Sequence, residues 1–550
     1  MCSVVSDGEQ IERYESLKPL VDGLYYDNQN ALSFFIPDGI SSLLFGSCRN
    51  IHHSSKDSLV YADKNVADNL TNLDTRPCIL LHGGDQVYVD DVAGPTLKGI
   101  HSLIDILGFT KEYLPDDHID SCQKVHHNDE IFYTRQSILP KVTFNSRRLL
   151  SRILPFRRTI PVFSSVKADN HLITLAEMFC LYMLNWSPEP WTLVGDVIKQ
   201  HPQHLNPAQL EKFALELAAI EDFIEGLSRV RRLLAHIPNY MIFDDHDVTD
   251  DWNLTAQWED NVYSNPFSKR VISNAMVAYW VFQGWGNAPE HFDESWIEKV
   301  QCVCDRNDVH MAKNFEKQIF RFNHWHYIID LEPNVIVLDT RTHRWRSERS
   351  LKNPSGLMDW ERLVELEDVL ENKEAGIILS AAPIFGVKLI ETIQRIFIFL
   401  GGEQMVDAEN WMAHKGCATK LLQIFARVDT PDEIVVLSGD VHYSFCFKVQ
   451  QRFGNNDTEI WQLTSSGMKN EFPPKLLSIF DRLERLLYFA ASPINMLTKR
   501  RRLEVKQKHL KRRQNQILYA KSNIGLVEFE NHKLKSFRIL VDEDDVERFL

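Results

Sequence analysis

Six residues scattered along the chain carry ligand atoms of mixed type: the Cys48 thiol, the Asp85, Asp245 and Asp440 carboxylates, the Tyr88 phenol and the His442 imidazole. Hard carboxylates hold calcium, magnesium or manganese, whereas thiolate and phenolate favour iron or zinc. One carboxylate can bridge two ions about 3.5–4 Å apart, and such a pair clamps both the attacking and the leaving oxygen of a displacement at phosphorus. The order of the motifs (a strand-end ligand, Gly-Asp, an acid followed by His, then Gly-x-x-His) fits a metal-dependent phosphoesterase.

Four apolar runs have to deliver these side chains to one place. Leu43 to Cys48 is the first, and Ile79 to Leu81 the second, the latter broken by Gly83 and Gly84 just before Asp85. Asn239 to Phe243 leads into Asp244-Asp245-His246-Asp247, and Glu433 to Leu437 into Ser438-Gly439-Asp440-Val441-His442. In open α/β sheets, ligand sites form where the chain leaves the carboxyl ends of strands. The two glycines are expected to let the backbone approach closely without a Cβ clash. Asp244 reads as a turn cap or a brace that orients His246, and Asp90 and Asp91 as solvated turn acids. A strand over Asn334–Leu338 ends in Asp339-Thr340-Arg341, where Asp339 and Arg341 make an ion pair, or Arg341 or Arg344 offers its guanidinium fork to a phosphate oxygen. His324 and His326 read as a same-face structural pair on a strand over Ile319–Ile329. Cys302 and Cys304 lack the second pair that a zinc site needs.

The motifs also resemble a known family. They are Phe45-Gly46-Ser47-Cys48, Gly84-Asp85-Gln86-Val87-Tyr88, Asp244-Asp245-His246-Asp247-Val248-Thr249-Asp250-Asp251-Trp252-Asn253, Val337-Leu338-Asp339-Thr340-Arg341 and Leu437-Ser438-Gly439-Asp440-Val441-His442. In this order the sequence resembles the PhoD-like (alkaline phosphatase D) branch of the metallophosphatases, with interruptions from about residue 43 to 470. The resemblance implies an α/β (α+β) fold of two packed mixed β-sheets flanked by helices, and hydrolysis of phosphate mono- or diesters by metal-activated water. It implies iron held by Cys48, Asp85 and Tyr88 with Asp85 bridging, a calcium-like position at Asp245 and Asp440, and His442 completing the shell. Manganese, magnesium or zinc also suit such ligands. By the same resemblance His246 faces the scissile phosphate and protonates the leaving oxygen.

The chain is read in four parts: a small N-terminal β-element over 1–42, the PhoD-like metallophosphatase domain over 43–470 with a helical insertion at about 92–235, a basic amphipathic helical segment over 471–522, and a C-terminal β-hairpin over 523–550 that completes the core. Met1 to Glu15 holds Asp7, Glu9, Glu12 and Glu15 without an apolar core, so no signal peptide is expected there. The longest apolar stretch, Ile393 to Gly401, is broken by Arg395 and falls short of the ~18–20 residues of a spanning helix. Nine scattered cysteines argue for a reducing compartment, hence cytoplasm.

A net charge of −15 argues against nucleic acid as a partner. Basic residues do cluster in two places. Lys499, Arg500, Arg501, Arg502, Lys506, Lys508, Lys511, Arg512 and Arg513 follow an apolar stripe at Leu476, Phe480, Leu483 and Leu487, and Arg147, Arg148, Arg152, Arg157 and Arg158 lie among leucines of the insertion. Through 144–163 and 475–513 the chain would meet an anionic membrane surface as a peripheral protein. The alternative is an amphipathic helix docked on the core with a solvated basic edge. The rival to an enzyme is an inactive metallophosphatase-fold scaffold at such a membrane. The joint presence of Cys48, Asp85, His246, Asp440 and His442 argues against it.

Overall fold

Successive residues of a strand point to opposite faces, and here both faces are apolar, which requires a layer on each side of each sheet. A computed structural model describes residues 21–550 apart from 28, 30, 110–111, 117, 145–157, 164–167, 306–308, 393–409, 453–457, 490, 498–501 and 514. Its strands are β1 (Ser42–Gly46), β2 (Ile79–Gly83), β3 (Lys141–Phe144), β4 (Arg158–Pro161), β5 (Asn239–Ile242), β6 (Tyr327–Ile329), β7 (Val335–Val337), β8 (Ala375–Ser380), β9 (Glu433–Ser438), β10 (Phe445–Gln451), β11 (Glu459–Thr464), β12 (Leu503–Gln507), β13 (Ile524–Glu530), β14 (Lys533–Leu540) and β15 (Val546–Arg548). One sheet runs β15-β14-β13-β1-β2-β5 and the other β12-β10-β11-β9-β8-β7-β6, while β3 and β4 form a separate hairpin.

Leu43, Phe45, Ile79 and Leu81 of the first sheet share a buried cluster with Val335, Val337, Ile377, Leu379, Val435 and Leu437 of the second. The residues between them turn outwards. Leu44 and Leu80 join helices that include Gly94–Leu107, Leu175–Trp186 and Pro207–His236. Ile336, Ile378, Ile434 and Val436 join Trp360–Leu370 and Lys415–Ile424. The result is helix, sheet, sheet, helix, the two packed mixed sheets that the resemblance implies.

Parallel pairing decides where the site lies. β1, β2 and β5 run parallel, as do β7, β8, β9 and β11. Within each sheet the carboxyl ends of these strands therefore share one edge, and the ligand-type motifs follow β1, β2, β5, β7 and β9. The C-terminal hairpin β13–β14 pairs antiparallel with β1 along Ser42–Phe45.

Four expectations differ from the structure. The small β-element expected over 1–42 is not seen: residues 21–41 contain no strand among those described, and Phe34 and Ile36 are mostly exposed, with no sheet to join. Residues before Tyr327 are not strand either: a helix runs through Val309–Ile319, and only Tyr327–Ile329 pairs, with β7. The stretch 471–522 is helical only in part. Its basic end forms edge strand β12, where Leu503 and Val505 are buried while Glu504 and Lys506 face outwards, paired with β10. Finally, Gly83 is not needed for close approach, because a Cβ there would make only ordinary contact with Leu379. Arg147, Arg148, Arg152 and Arg157, then Lys499, Arg500 and Arg501, and the whole apolar run 393–401 lie outside the described residues. No described helix is long and apolar enough to cross a membrane.

Candidate active site

The turns after the strands are sharp. Cys48 (φ 57°), Asp85 (φ 56°), Asp440 (φ 67°) and His442 (φ 60°) all occupy the left-handed region, which costs a non-glycine residue on the order of 1 kcal/mol or more. Strain gathered at strand ends marks a place where aiming side chains outweighs backbone comfort. Two glycines make the convergence possible. Gly84 (φ 105°) lies where a Cβ would strike Asp244, bringing the ends of β2 and β5 together. A Cβ on Gly439 would strike the Ser47 side chain, so the end of β9 can close on the end of β1 across the two sheets.

Asp247 ties the first sheet's turns. Its carboxylate accepts the N–H groups of Asp85 and Asp244 at 2.8 Å and of Val87 at 3.0 Å. Burial pushes its carboxyl up to about 7 against the pull of these donors. Ser47 ties the sheets together: its Oγ accepts from Asp440 N at 3.1 Å and lies 3.3 Å from Cys48 Sγ.

Around this frame the ligand-type atoms meet. Cys48 Sγ is 3.4 Å from Asp85 Oδ2 and 3.5 Å from the Asp440 carbonyl. Among the described residues two groups of three converge, with ligand atoms within 4.8 Å of one another: Asp85, Asp245 and His246, and Asp85, Asp244 and Asp440. Asp85 belongs to both. Tyr88 stacks on the His246 ring with centroids 4.5 Å apart, and its hydroxyl accepts from Asn470 Nδ2 at 3.3 Å. Asn470 also meets His442 Nε2 at 3.2 Å, which places His442 at the rim beside Tyr88.

Arg341 is almost fully buried and its guanidinium lies on Asp244 and Asp245. Asp339 instead accepts the backbone N–H groups of Arg341 and Thr342, each at 2.9 Å, and so builds the turn after β7. Arg344 donates Nε–H to the Thr340 carbonyl at 3.2 Å. Asp244 is thus Arg341's partner and part of a convergent acidic group.

The electrostatics are those of acids crowded out of water. Burial pushes the Cys48 thiol and the Tyr88 phenol well up, and nearby carboxylates add to both shifts. Burial likewise raises Asp85 well above the carboxylate range, with His246 opposing and Asp244, Asp245 and Asp247 reinforcing. Asp245 moves the other way: burial opposes its charge, but Arg341 and His246 carry it below its usual value. A thiol, a phenol and clustered carboxyls, each costly to ionise when buried, fit a cation, which stabilises the deprotonated form of all three. The donor set mixes sulfur, phenolic and carboxylate oxygen and imidazole nitrogen, and these residues fit metal ions.

Sequence reasoning misjudged two acids, since Asp91 is buried and accepts from Asn50 Nδ2 at 3.3 Å rather than facing solvent, and Asp90 lies deeper still. Asp90 is fully buried, and both its carboxylate oxygens lie 3.0 Å from His246 Nδ1. Val87 and Val89 are core residues, so the alternation Val87-Tyr88-Val89-Asp90 sends Tyr88 and Asp90 to one side, where both meet His246. That alternation was the signal available. Asp247 and Asn470 were also missed, since their roles rest on backbone and side-chain partners far away in sequence.

A family model described as PhoD-like phosphatase matches residues 227–516. A solved structure described as "Structure of PhoD" is similar at 10% identity and a TM-score of 0.36, over 94% of this chain and 72% of that one. No curated protein matches.

Proposed function

This chain belongs to the PhoD-like phosphatase family, matched over just more than half its length, and from that premise we propose a metal-dependent phosphoesterase whose site is the strand-end cluster around Asp85. The observation that carries the proposal is the sharing of Asp85 between two convergent groups, the place a bridging carboxylate takes between two cations. Asp85, Asp244, Asp245 and Asp440 would hold the ions, with Cys48 and Tyr88 beside Asp85 and His442 at the rim. Iron with calcium is the pairing suggested by the family resemblance. Bound ions would supply Lewis acidity, lowering the pKa of a water and offsetting charge on the phosphoryl oxygens.

The chain's own groups do the rest. Arg341 holds Asp244 and Asp245 in place, which makes it a positioning residue, and Arg344 is the guanidinium we assign to a phosphate oxygen. Asp90 and the Tyr88 ring fix the His246 imidazole, leaving Nε2 for the substrate. Burial opposes a proton on His246, and Asp90, with both carboxylate oxygens 3.0 Å from Nδ1, is the largest influence favouring it. His246 is therefore suited to hand a proton to the leaving oxygen. Monoester and diester substrates are both compatible with this arrangement. Buried free thiols at Cys48, Cys78, Cys180 and Cys446 support a reducing, cytoplasmic setting.

Elemental analysis of the purified protein, with a panel of mono- and diesters, tests the reading. Asp85→Asn is expected to lose metal and to lower turnover by more than the ~10–100-fold typical of an outer-shell change, while the fold survives. Wild-type metal content and turnover in that variant would remove the proposal.

A further inference from the structure

The helix Pro474–Leu487 is amphipathic in the reverse of the usual sense. Towards the core it buries Leu477 together with two acids, Asp481 and Glu484. Asp481 Oδ1 accepts the N–H groups of Ile517 at 2.7 Å and Leu518 at 3.0 Å. Glu484 accepts Leu389 N–H at 2.7 Å and Gln507 Nε2 at 3.2 Å. Anchored by hydrogen bonds, the helix turns its apolar residues outwards: Leu476 is 41% exposed, Ile479 53%, Leu483 38% and Leu486 69%, and Phe489 and Ile494 continue the exposed set at 46% and 36%. Steps of three and four residues align the first four on one stripe. Single exposed leucines need no explanation, but a continuous stripe marks a contact surface.

The charges around it are one-sided. With both acids of the helix inside, the charged residues left outwards are Lys475, Arg482 and Arg485, the last donating Nε–H to Asp481 at 3.0 Å. Exposed Arg502 follows, after Lys499-Arg500-Arg501 in sequence. A basic-edged apolar stripe in a chain of net charge −15 complements an anionic lipid surface, where cations meet headgroups and the apolar face enters the acyl boundary. The helix also starts at the site's rim. Asn470 bonds Tyr88 and His442, Phe472 N donates to the His442 carbonyl at 3.0 Å, and Phe472 meets Phe480 of the helix with ring centroids 6.1 Å apart.

We propose that this face docks the protein on an anionic bilayer and that its substrate is a phosphate ester carried by a lipid in that bilayer. The substrate half rests on the phosphoesterase reading, whereas the docking half does not. The test uses the full chain, sedimented with neutral phosphatidylcholine vesicles and with vesicles containing phosphatidylserine. Wild type is expected to bind only the anionic vesicles, less at high salt. Leu483→Gln with Leu486→Gln should weaken binding at least tenfold, leave the melting temperature and soluble-ester turnover unchanged, and lower turnover of a lipid-tailed phosphate ester in the same vesicles. If wild type ignores anionic vesicles at low salt, or the double variant binds as wild type does, docking is overturned. A fall in melting temperature would show that the stripe packs within the chain. Loss of wild-type self-association in sedimentation, without vesicle binding, would assign the stripe to a second copy. Vesicle binding with no hydrolysis of any ester would overturn the enzyme reading and its substrate half, leaving docking intact.

Discussion

Asp90 gives His246 two acceptor oxygens at 3.0 Å and also takes the Asp250 N–H at 3.2 Å. Without its charge the imidazole loses both orientation and the main support for its proton. Asp90→Asn is expected to keep its metal and to lower kcat by about 10–100-fold. The deficit should be greatest for esters whose leaving oxygen needs protonation. The variant's pH–rate profile carries a sign. A protonated His246 is the active form, Asp90 raises its pKa, and the substitution should move the alkaline limb to lower pH. An unshifted limb would make Asp90 merely structural. His246→Ala separates proton donor from ligand: retained metal with lost kcat identifies the donor, and lost metal assigns the ring to the Asp85–Asp245 group. Cys48, Asp85, Asp245 and Asp440 were legible because each stands within a few residues of the end of an apolar run. Asp90 was not, because an acid six positions past Gly84 resembles a solvated one until the Pro207–His236 and Leu175–Trp186 helices pack on the cluster that holds Val87 and Val89.

At the scale of elements the close approach of β1 and β9 is the critical packing. Gly439→Ala would push a methyl group into Ser47, and overpacking of this kind costs roughly 1–3 kcal/mol. Thermal unfolding and metal content should both fall. Adding Ser47→Gly removes the struck atoms, so the pair should regain stability, although the Ser47 acceptor for Asp440 N–H is gone. A double variant no more stable than Gly439→Ala alone would mean that the seam does not limit packing. The central strands were legible because residues such as Ile377, Ile378 and Leu379 are apolar on both faces, as a doubly covered parallel sheet demands. Edge strand β12 was hidden: Leu503 and Val505 alternate with Glu504 and Lys506 inside a run of cations that dominates any local reading. The helix at Pro474–Leu487 was legible as a helix, yet its inward face was not. The groups that hold Asp481 and Glu484 (Ile517, Leu518, Leu389 and Gln507) come from three other stretches of chain.

For the whole molecule, the seam between the two sheets gathers buried acids, and burial shifts Asp85, Asp247 and Asp250 towards the protonated form. Burial raises Asp247 to about 7, and burial with neighbouring acids raises Asp250 to about 8, whereas an unfolded Asp titrates near about 4. Between these values the folded state binds more protons than the unfolded one, so stability falls as pH rises through the window. His246 acts in the same direction, its contribution being full below about 6.5 and lost as pH passes its raised folded value. Asp245 is opposite in sign: lowered chiefly by Arg341 against burial, it contributes above about 4 and loses that contribution only in stronger acid. Metal-stripped protein should therefore melt several degrees higher at about pH 5 than at about pH 8. Added divalent metal should raise the melting temperature most at the alkaline end, because it replaces the protons that the buried acids would otherwise retain. Melting curves with and without chelator at the two pH values check this. Equal stability of the stripped chain at both would mean that the Asp85 cluster carries no charge deficit for a metal to relieve.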